Sequence, residues 1–333
     1  MNRQLATFSV VVGLAAAIAV FESGFTASAE THQKVIRVGF VGPESSSTAP
    51  RGIPAFWQRL RELGYIEGEN LTIEVGWAEG RYERLPVLMA EMLEHKVDIL
   101  VTYSTPAALA AKRATSKVPI VVAIMGEPVK SGLVASLAHP GGNVTGLSLA
   151  WAEGIGGKWL ELLQETVPKL STVAVLCNPD NAVAKPLLKE LRAVSPVRKL
   201  ELRIIQVRGM EALSGAIEQA RREAQAMLVF PDPLTVYHQS AIATLAAKHR
   251  LPAMYALRDF ADVGGLMAYA PDTTVMFRRA AEYVDRIIRG ARPAELPIEQ
   301  PTAFQLIVNL KAASALGLTI PASILMRADE VVR

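Results

Sequence analysis

The sequence predicts an α/β protein of two doubly wound parallel-sheet lobes, and three observations carry that expectation. Short apolar runs of strand length alternate with longer stretches whose apolar residues recur at helical spacing. The alternation breaks at His139-Pro140-Gly141-Gly142-Asn143 and restarts at Trp159, so one type of unit is used twice. Most strand-length runs end in a polar or proline-bearing loop that leads to a helix. In parallel sheets such loops lie at the carboxyl ends of the strands, where ligands collect.

Met1 to Glu30 stand apart. Arg3 gives a positive flank, Leu5 to Phe21 is an almost wholly apolar run of roughly 17 residues, and Ala27-Ser28-Ala29 is a small-x-small cleavage site before Glu30. Residues 1–29 are therefore expected to be a secretory signal removed on export, since the run is short for a permanent anchor and has a cleavage site behind it. No later stretch approaches the length of a membrane span. Cys177 is the only cysteine, so no internal disulfide, cysteine zinc site or lipid attachment near the signal is expected. The remaining chain, about 300 residues, is half apolar and long enough for two cores without covalent staples. The net charge is only +3 and no basic run is interleaved with aromatics, so nucleic acid is not an expected partner.

Val35 to Val41 reads as the first strand, followed by the polar loop Gly42-Pro43-Glu44-Ser45-Ser46-Ser47-Thr48 and a helix carrying Ile53, Phe56, Trp57 and Leu60. After turns at Gly64 and Gly68, Leu71 to Val75 is a strand, and a helix follows with Tyr82, Leu85, Leu88, Met89, Met92 and Leu93 on one face. Val97 to Val101 is a buried-strand run. Beyond it Thr105 suits an N-cap and Pro106 the first helical position, so an alanine-rich helix is expected from Pro106. Val118 to Ile124 is the fourth strand; Met125-Gly126-Glu127-Pro128 then leads to an expected helix holding Leu133, Val134 and Leu137. Val144 to Leu149 is a fifth, short strand.

The second set opens with a helix from Trp159, then strand Val173 to Cys177, loop Asn178-Pro179-Asp180-Asn181 and a helix with Leu187, Leu188 and Leu191. Leu202 to Val207, Ala226 to Phe230, Pro252 to Ala256 and Gly264 to Ala270 are further strands, with helices expected over Met210 to Arg221 and around Ile242, Leu245 and Ala246. Val275 to Arg289 is amphipathic, with Phe277, Ala280, Val284 and Ile287 in one stripe, and Gly290 stops it. A proline-rich stretch, Pro293 to Pro301, precedes strand-like Phe304 to Val308 and a short helix ending at Gly317.

Several blocks together resemble the bacterial ABC-transporter substrate-binding proteins of the tryptophan/tyrosine transport type. These are Thr105-Pro106-Ala107-Ala108-Leu109-Ala110-Ala111-Lys112, the run Ser131 to Gly146, Pro252 to Tyr269, Gln300-Pro301-Thr302 and Ala315 to Pro321. The resemblance implies the two-lobed type I periplasmic binding protein fold, with crossings near Leu147–Ala150, Ala270–Thr273 and Arg292–Leu296. That divides the chain into an N-terminal lobe of residues 34–147 and 271–292 and a C-terminal lobe of 148–270 and 293–333. It further implies a periplasmic monomer that binds a small amino-acid-like ligand, needs no cofactor and works with ABC permease subunits in the membrane. Reporting the ligand to a membrane sensor instead requires only the same closed surface.

Within such a cleft, Ser104 and Thr105 offer hydroxyls and a helix N-terminus to a carboxylate, although Thr105 also serves as a cap. Ser45 and Ser46, with Ser47, are either ligand contacts or plain loop. Gly126 and Glu127 open the next helix, where Glu127 also complements the dipole. Asn178 and Asp180 are ligand groups or an Asx-type turn. Asp232, held between prolines, is expected to accept the ligand's ammonium, with helix capping as the alternative. Tyr103 and Tyr255 end strands, where they either sandwich an apolar ligand part or pack; Arg258 binds ligand or a neighbouring acid. Ser104, Asp232 and His238 or His249 supply the residue types of a hydrolytic triad, but no Gly-x-Ser-x-Gly elbow exists and both histidines sit in helical stretches, so no enzyme is expected. No histidine–carboxylate cluster has metal-ligand spacing, and Gly154-x-Gly156-Gly157 follows no convincing strand, so neither a metal nor a dinucleotide is expected.

Overall fold

The computed structural model describes residues 35–149, 151 and 154–333; the expected signal, residues 1–29, lies outside them. The first half forms β1 (Ile36–Gly42), β2 (Leu71–Trp77), β3 (Ile99–Thr102), β4 (Ile120–Met125) and β5 (Val144–Ser148). They make a five-stranded sheet in the order β2-β1-β3-β4-β5, every neighbour parallel. β3, β4 and β5 are buried at every residue, which is why they read as continuous apolar runs and not as alternating ones. The second half forms β6 (Thr172–Cys177), β7 (Glu201–Gln206), β8 (Ala226–Val229), β9 (Ala253–Tyr255), β10 (Met267–Ala270), β11 (Gln305–Asn309) and the three-residue β12 (Glu330–Val332). This seven-stranded sheet runs β12-β11-β10-β9-β8-β6-β7. The mixed α/β chain of two lobes expected from sequence is thus what forms, except that β11 pairs antiparallel with β10. It does so because the chain enters it from the other lobe and not through a crossover helix.

Two expected helical features are corrected. No helix forms between residues 127 and 143. Pro128, Gly132 at φ +75° and Pro140-Gly141 break that segment into turns, held by Ser131 N–H to the Glu127 carbonyl and Leu133 N–H to the Pro128 carbonyl. Leu133 and Val134 are still buried from these turns, in one core with Ile120, Val122 and Val144, while the opposite sheet face, with Val121 and Ala123, is covered by the helix Thr273–Ile288, which packs on β4, β5 and the helix Ile53–Glu62 and buries Met276, Phe277, Ala280, Ala281 and Val284. Tyr82, expected on the apolar face of a helix, lies in a short 3₁₀ turn ahead of the helix Leu85–Glu94.

The chain passes from the first sheet to the second after β5, and returns to the first between β10 and Thr273. The last passage comes later than the expected Arg292–Leu296. Thr145 donates its hydroxyl to the Leu296 carbonyl, Ile298 N–H bonds the Leu137 carbonyl, Ser148 N–H bonds the Glu299 carbonyl at 2.8 Å and Glu299 N–H the Gly146 carbonyl at 3.1 Å. These bonds hold residues 296–299 beside β5, so the chain reaches the second sheet only at Gln305. The C-terminal lobe segment drawn from residue 293 therefore begins after Glu299.

At β5 the register against β4 shifts between Val122 and Met125. Gly146 adopts φ +135° there, and a Cβ on it would lie 2.1 Å from the Val122 carbonyl oxygen. Gly146→Ala should cost about 3 kcal/mol of stability, from the unfavourable dihedral and the clash together, read as a lower urea midpoint with unchanged slope.

Candidate functional site: a closed cleft between the lobes

The carboxyl ends of the two sheets face each other across a cavity of about 530 Å³, a volume that includes its open mouth. From the first lobe come Glu44 after β1, Tyr103, Ser104 and Thr105 after β3, Met125 at the end of β4 and Gly126 after it; the second contributes Asn181, Asp232, Leu257 and Asp259. Trp151, from the first crossing, completes one wall with Ile124, Leu149 and Val183. The lobes touch. Tyr82 donates its hydroxyl to Asp232, Arg51 pairs with Asp262 at 3.3 Å, and the Arg51 N–H lies 3.5 Å from Asp259 Oδ1. Gly126 sits directly on Val183, so closely that a Cβ would lie 2.4 Å from its Cγ2.

Ser104 caps the helix Thr105–Ala114, so this helix starts one residue before the expected Pro106, and Ser104 takes the capping role expected of Thr105. Its backbone is strained, at φ +70° and ψ 150°, and is pinned by its N–H to the Ile124 carbonyl at 2.7 Å. Thr105 Oγ1 accepts from the Gly126 N–H at 2.9 Å, which ties the loops after β3 and β4 together. Both residues remain on the cavity wall beside the first turn of a ten-residue helix.

Glu44 is the residue that sequence reasoning missed. It is 3% exposed, and neither its Oε2 nor the neighbouring Tyr103 Oη has a well-formed hydrogen bond to protein. Burial pushes its carboxyl up to about 8; the Tyr103 hydroxyl and its own backbone N–H pull the other way, and the charges of Asp259 and Asp232 push it further up. Tyr103, fully buried, is itself raised by desolvation and then by Glu44. Trp151 Nε1 is a third buried polar atom without a partner. The signal for Glu44 was available, since Gly42-Pro43-Glu44 sets an acid at a strand's carboxyl end with the backbone fixed before it.

Asp232 lies on the wall, but it is not the free acceptor expected. Asn178 and the Leu234 N–H bond its Oδ1 at 3.3 and 2.9 Å, while Asn181, at 2.9 Å, and Tyr82 bond its Oδ2. All the common acceptor positions of the carboxylate are thereby used, and it also caps the helix Pro233–Tyr237. Burial raises its carboxyl above the ordinary range against the pull of these four donors. Asp259 is raised chiefly by burial too.

The other expected site residues fall elsewhere. Ser45 bonds Thr48 at 2.9 Å and Ser47 at 3.0 Å, and Ser46 is exposed, so the hydroxyls satisfy one another away from the cavity. Glu127 pairs with Lys130 at 3.1 Å, outside the cavity wall and with no helix to open. Asn178 supports Asp232 from behind. Asp180 pairs with Arg208 at 3.3 Å in an outer groove. Tyr255 is a packing residue, stacked on Phe260 with ring centroids 4.5 Å apart. Arg258 binds both oxygens of Glu330 and lies 3.6 Å from Asp262. His238 and His249 are absent from the cavity wall, so the residue types of a triad do not meet there. Among the described residues no His, Cys, Asp and Glu cluster is placed to hold a metal.

Two doubly wound lobes shut on a cavity with unpartnered polar groups in its wall define a solute receptor of the type I periplasmic binding protein fold. The chain belongs to the ABC transporter substrate binding protein family, whose family model matches residues 41–332. It is 24% identical over 263 residues to the tyrosine-binding protein of Clostridioides difficile (strain R20291), covering 79% of this chain and 75% of that one. A conserved domain protein from Vibrio cholerae superposes with a TM-score of 0.84 at 25% identity, over 90% of this chain and 100% of that one. The ABC domain from Streptococcus pneumoniae in complex with L-Trp gives a TM-score of 0.81 at 23% identity, over 89% and 100%.

Because Gly126 meets Val183 across the cleft, Gly126→Ala should keep the lobes from reaching this closed form. Small-angle scattering should then show a larger minimum radius of gyration than for the unsubstituted chain, and the added Val183→Ala should restore the compact value.

Proposed function

We propose that the chain is the exported, periplasmic receptor of an ABC importer, a monomer without cofactor that closes on an amino acid and presents it to a membrane permease. The observation that carries this reading is the pairing, in one buried cavity, of the Glu44 carboxyl, whose Oε2 has no protein partner, with the Ser104–Thr105 helix start. A zwitterion needs an acceptor at one end and donors at the other, and these groups supply both. In this reading the ligand's carboxylate lies against Ser104 and Thr105, its ammonium goes to Glu44 with Asp259 close by, and its side chain meets Ile124, Leu149, Trp151 and Val183. The tyrosine-binding and L-Trp-bound relatives favour an aromatic amino acid, and the mostly apolar wall suits one. Asp232, already saturated by protein donors, holds the second lobe's loops in shape and meets Tyr82 on closure.

Calorimetry with L-tyrosine and L-tryptophan, and with the deaminated 3-(4-hydroxyphenyl)propanoate, tests the assignment. Glu44→Gln removes a charge-assisted bond of about 1.5–3 kcal/mol, so affinity for the amino acid should fall about tenfold or more while the deaminated compound is little affected. Ser104→Ala should cost less, since the helix N–H groups remain. Equal losses on both compounds after Glu44→Gln would move the ammonium elsewhere, and no binding of any amino acid would overturn the reading.

A further inference from the structure

Among the described residues three carboxyls line the cavity, and no lysine, arginine or histidine does. Glu44 comes from the first lobe, Asp232 and Asp259 from the second, and all three are at least nine-tenths buried in the closed form. Asp232 has four protein donors, whereas Glu44 Oε2 has none and Asp259 has a single long contact from the Arg51 N–H. The other groups facing Glu44 are the hydroxyls of Tyr103 and Tyr82, which carry no positive charge. The Arg51 guanidinium, whose charge acts weakly on Asp259, is paired with Asp262 on the surface, where both partners are over a third exposed. Bringing the lobes together therefore takes Glu44 and Asp259 out of water on the wall of one cavity, where the charge of Asp259 opposes ionisation of Glu44.

We propose that the Glu44–Asp259 pair, one carboxyl from each lobe, makes closure conditional on a positive charge between them, so that the cleft selects ligands bearing an ammonium. This rests on the reading of the cavity as an amino-acid site and adds what decides when the cleft shuts. An ammonium neutralises the pair directly. In its absence the carboxyls must be ionised together at close range or take up protons, so the empty receptor stays open at neutral pH and closes in acid. The direction follows from linkage. Glu44 is raised to about 8 in the closed form from an ordinary 4.5, so closure is least opposed below about 4.5 and loses ground as pH rises toward about 8.

Small-angle scattering on the ligand-free chain lacking its signal needs no substitution. The radius of gyration should be larger at pH 8 than at pH 5, and L-tyrosine or L-tryptophan at pH 8 should bring it to the pH 5 value while 3-(4-hydroxyphenyl)propanoate should not. Glu44→Gln/Asp259→Asn should be compact at both pH values without ligand, and the single Asp259→Asn intermediate, with folding checked by circular dichroism. A ligand-free radius that does not change with pH, or a folded double variant as open as the unsubstituted chain at pH 8, would overturn the proposal. If the pH arms behave as stated but neither amino acid binds, the carboxyl pair stands and only the identity of the ligand falls.

Discussion

An ionisable group taken out of water has to be paired, neutralised or offered to a ligand, and the cleft is organised by how each of its carboxyls meets that demand. Asp232 is paired so completely that it works as a structural node, joining the loops after β6 and β8 to Tyr82 of the opposite lobe. Asp259 is partly met by backbone. Glu44 is left over, with Tyr103 and Trp151 as its unpartnered neighbours on the wall. The strained Ser104 belongs to the same economy of positions. Its N–H is committed to Ile124 and its side chain to the first turn of the helix, which sets the β3 loop in the cavity wall.

The architecture was legible because strands buried on both faces write themselves as unbroken apolar runs, and β3, β4, β6 and β8 all do so. The loops after those strands identified Tyr103, Ser104, Thr105, Gly126 and Asp232 as neighbours of one cavity before any geometry was known. What failed were inferences from residue type alone. Ser45 and Ser46 have the chemistry of ligand donors, but in a short loop Ser45 finds the hydroxyls of Ser47 and Thr48, Ser46 is exposed, and the larger acid beside them points inward instead. Tyr82 fitted a helical stripe, yet its hydroxyl had a buried carboxylate to reach across the cleft. The role of Asp232 turned on side-chain donors 51 to 150 residues away in sequence, which no local pattern encodes.

The covering of the first sheet illustrates the same limit. Leu133, Val134 and Leu137 have helical spacing, but glycine and proline on either side deny them a helix, so they reach the core of one sheet face from turns, and the other face is covered from much later in the chain. The helix that does the covering, Thr273–Ile288, is reached only after the whole run of the second sheet from β6 to β10.

That detour has a temporal meaning. On a chain made from its N-terminus, the first lobe cannot finish its core until residue 288 has emerged, by which point most of the second lobe is already available to fold. The earlier half is thus kept waiting with an apolar face of β4 and β5 uncovered, a state that a polypeptide threaded through a membrane before folding can tolerate and that one left to mature in place would have to shield from aggregation.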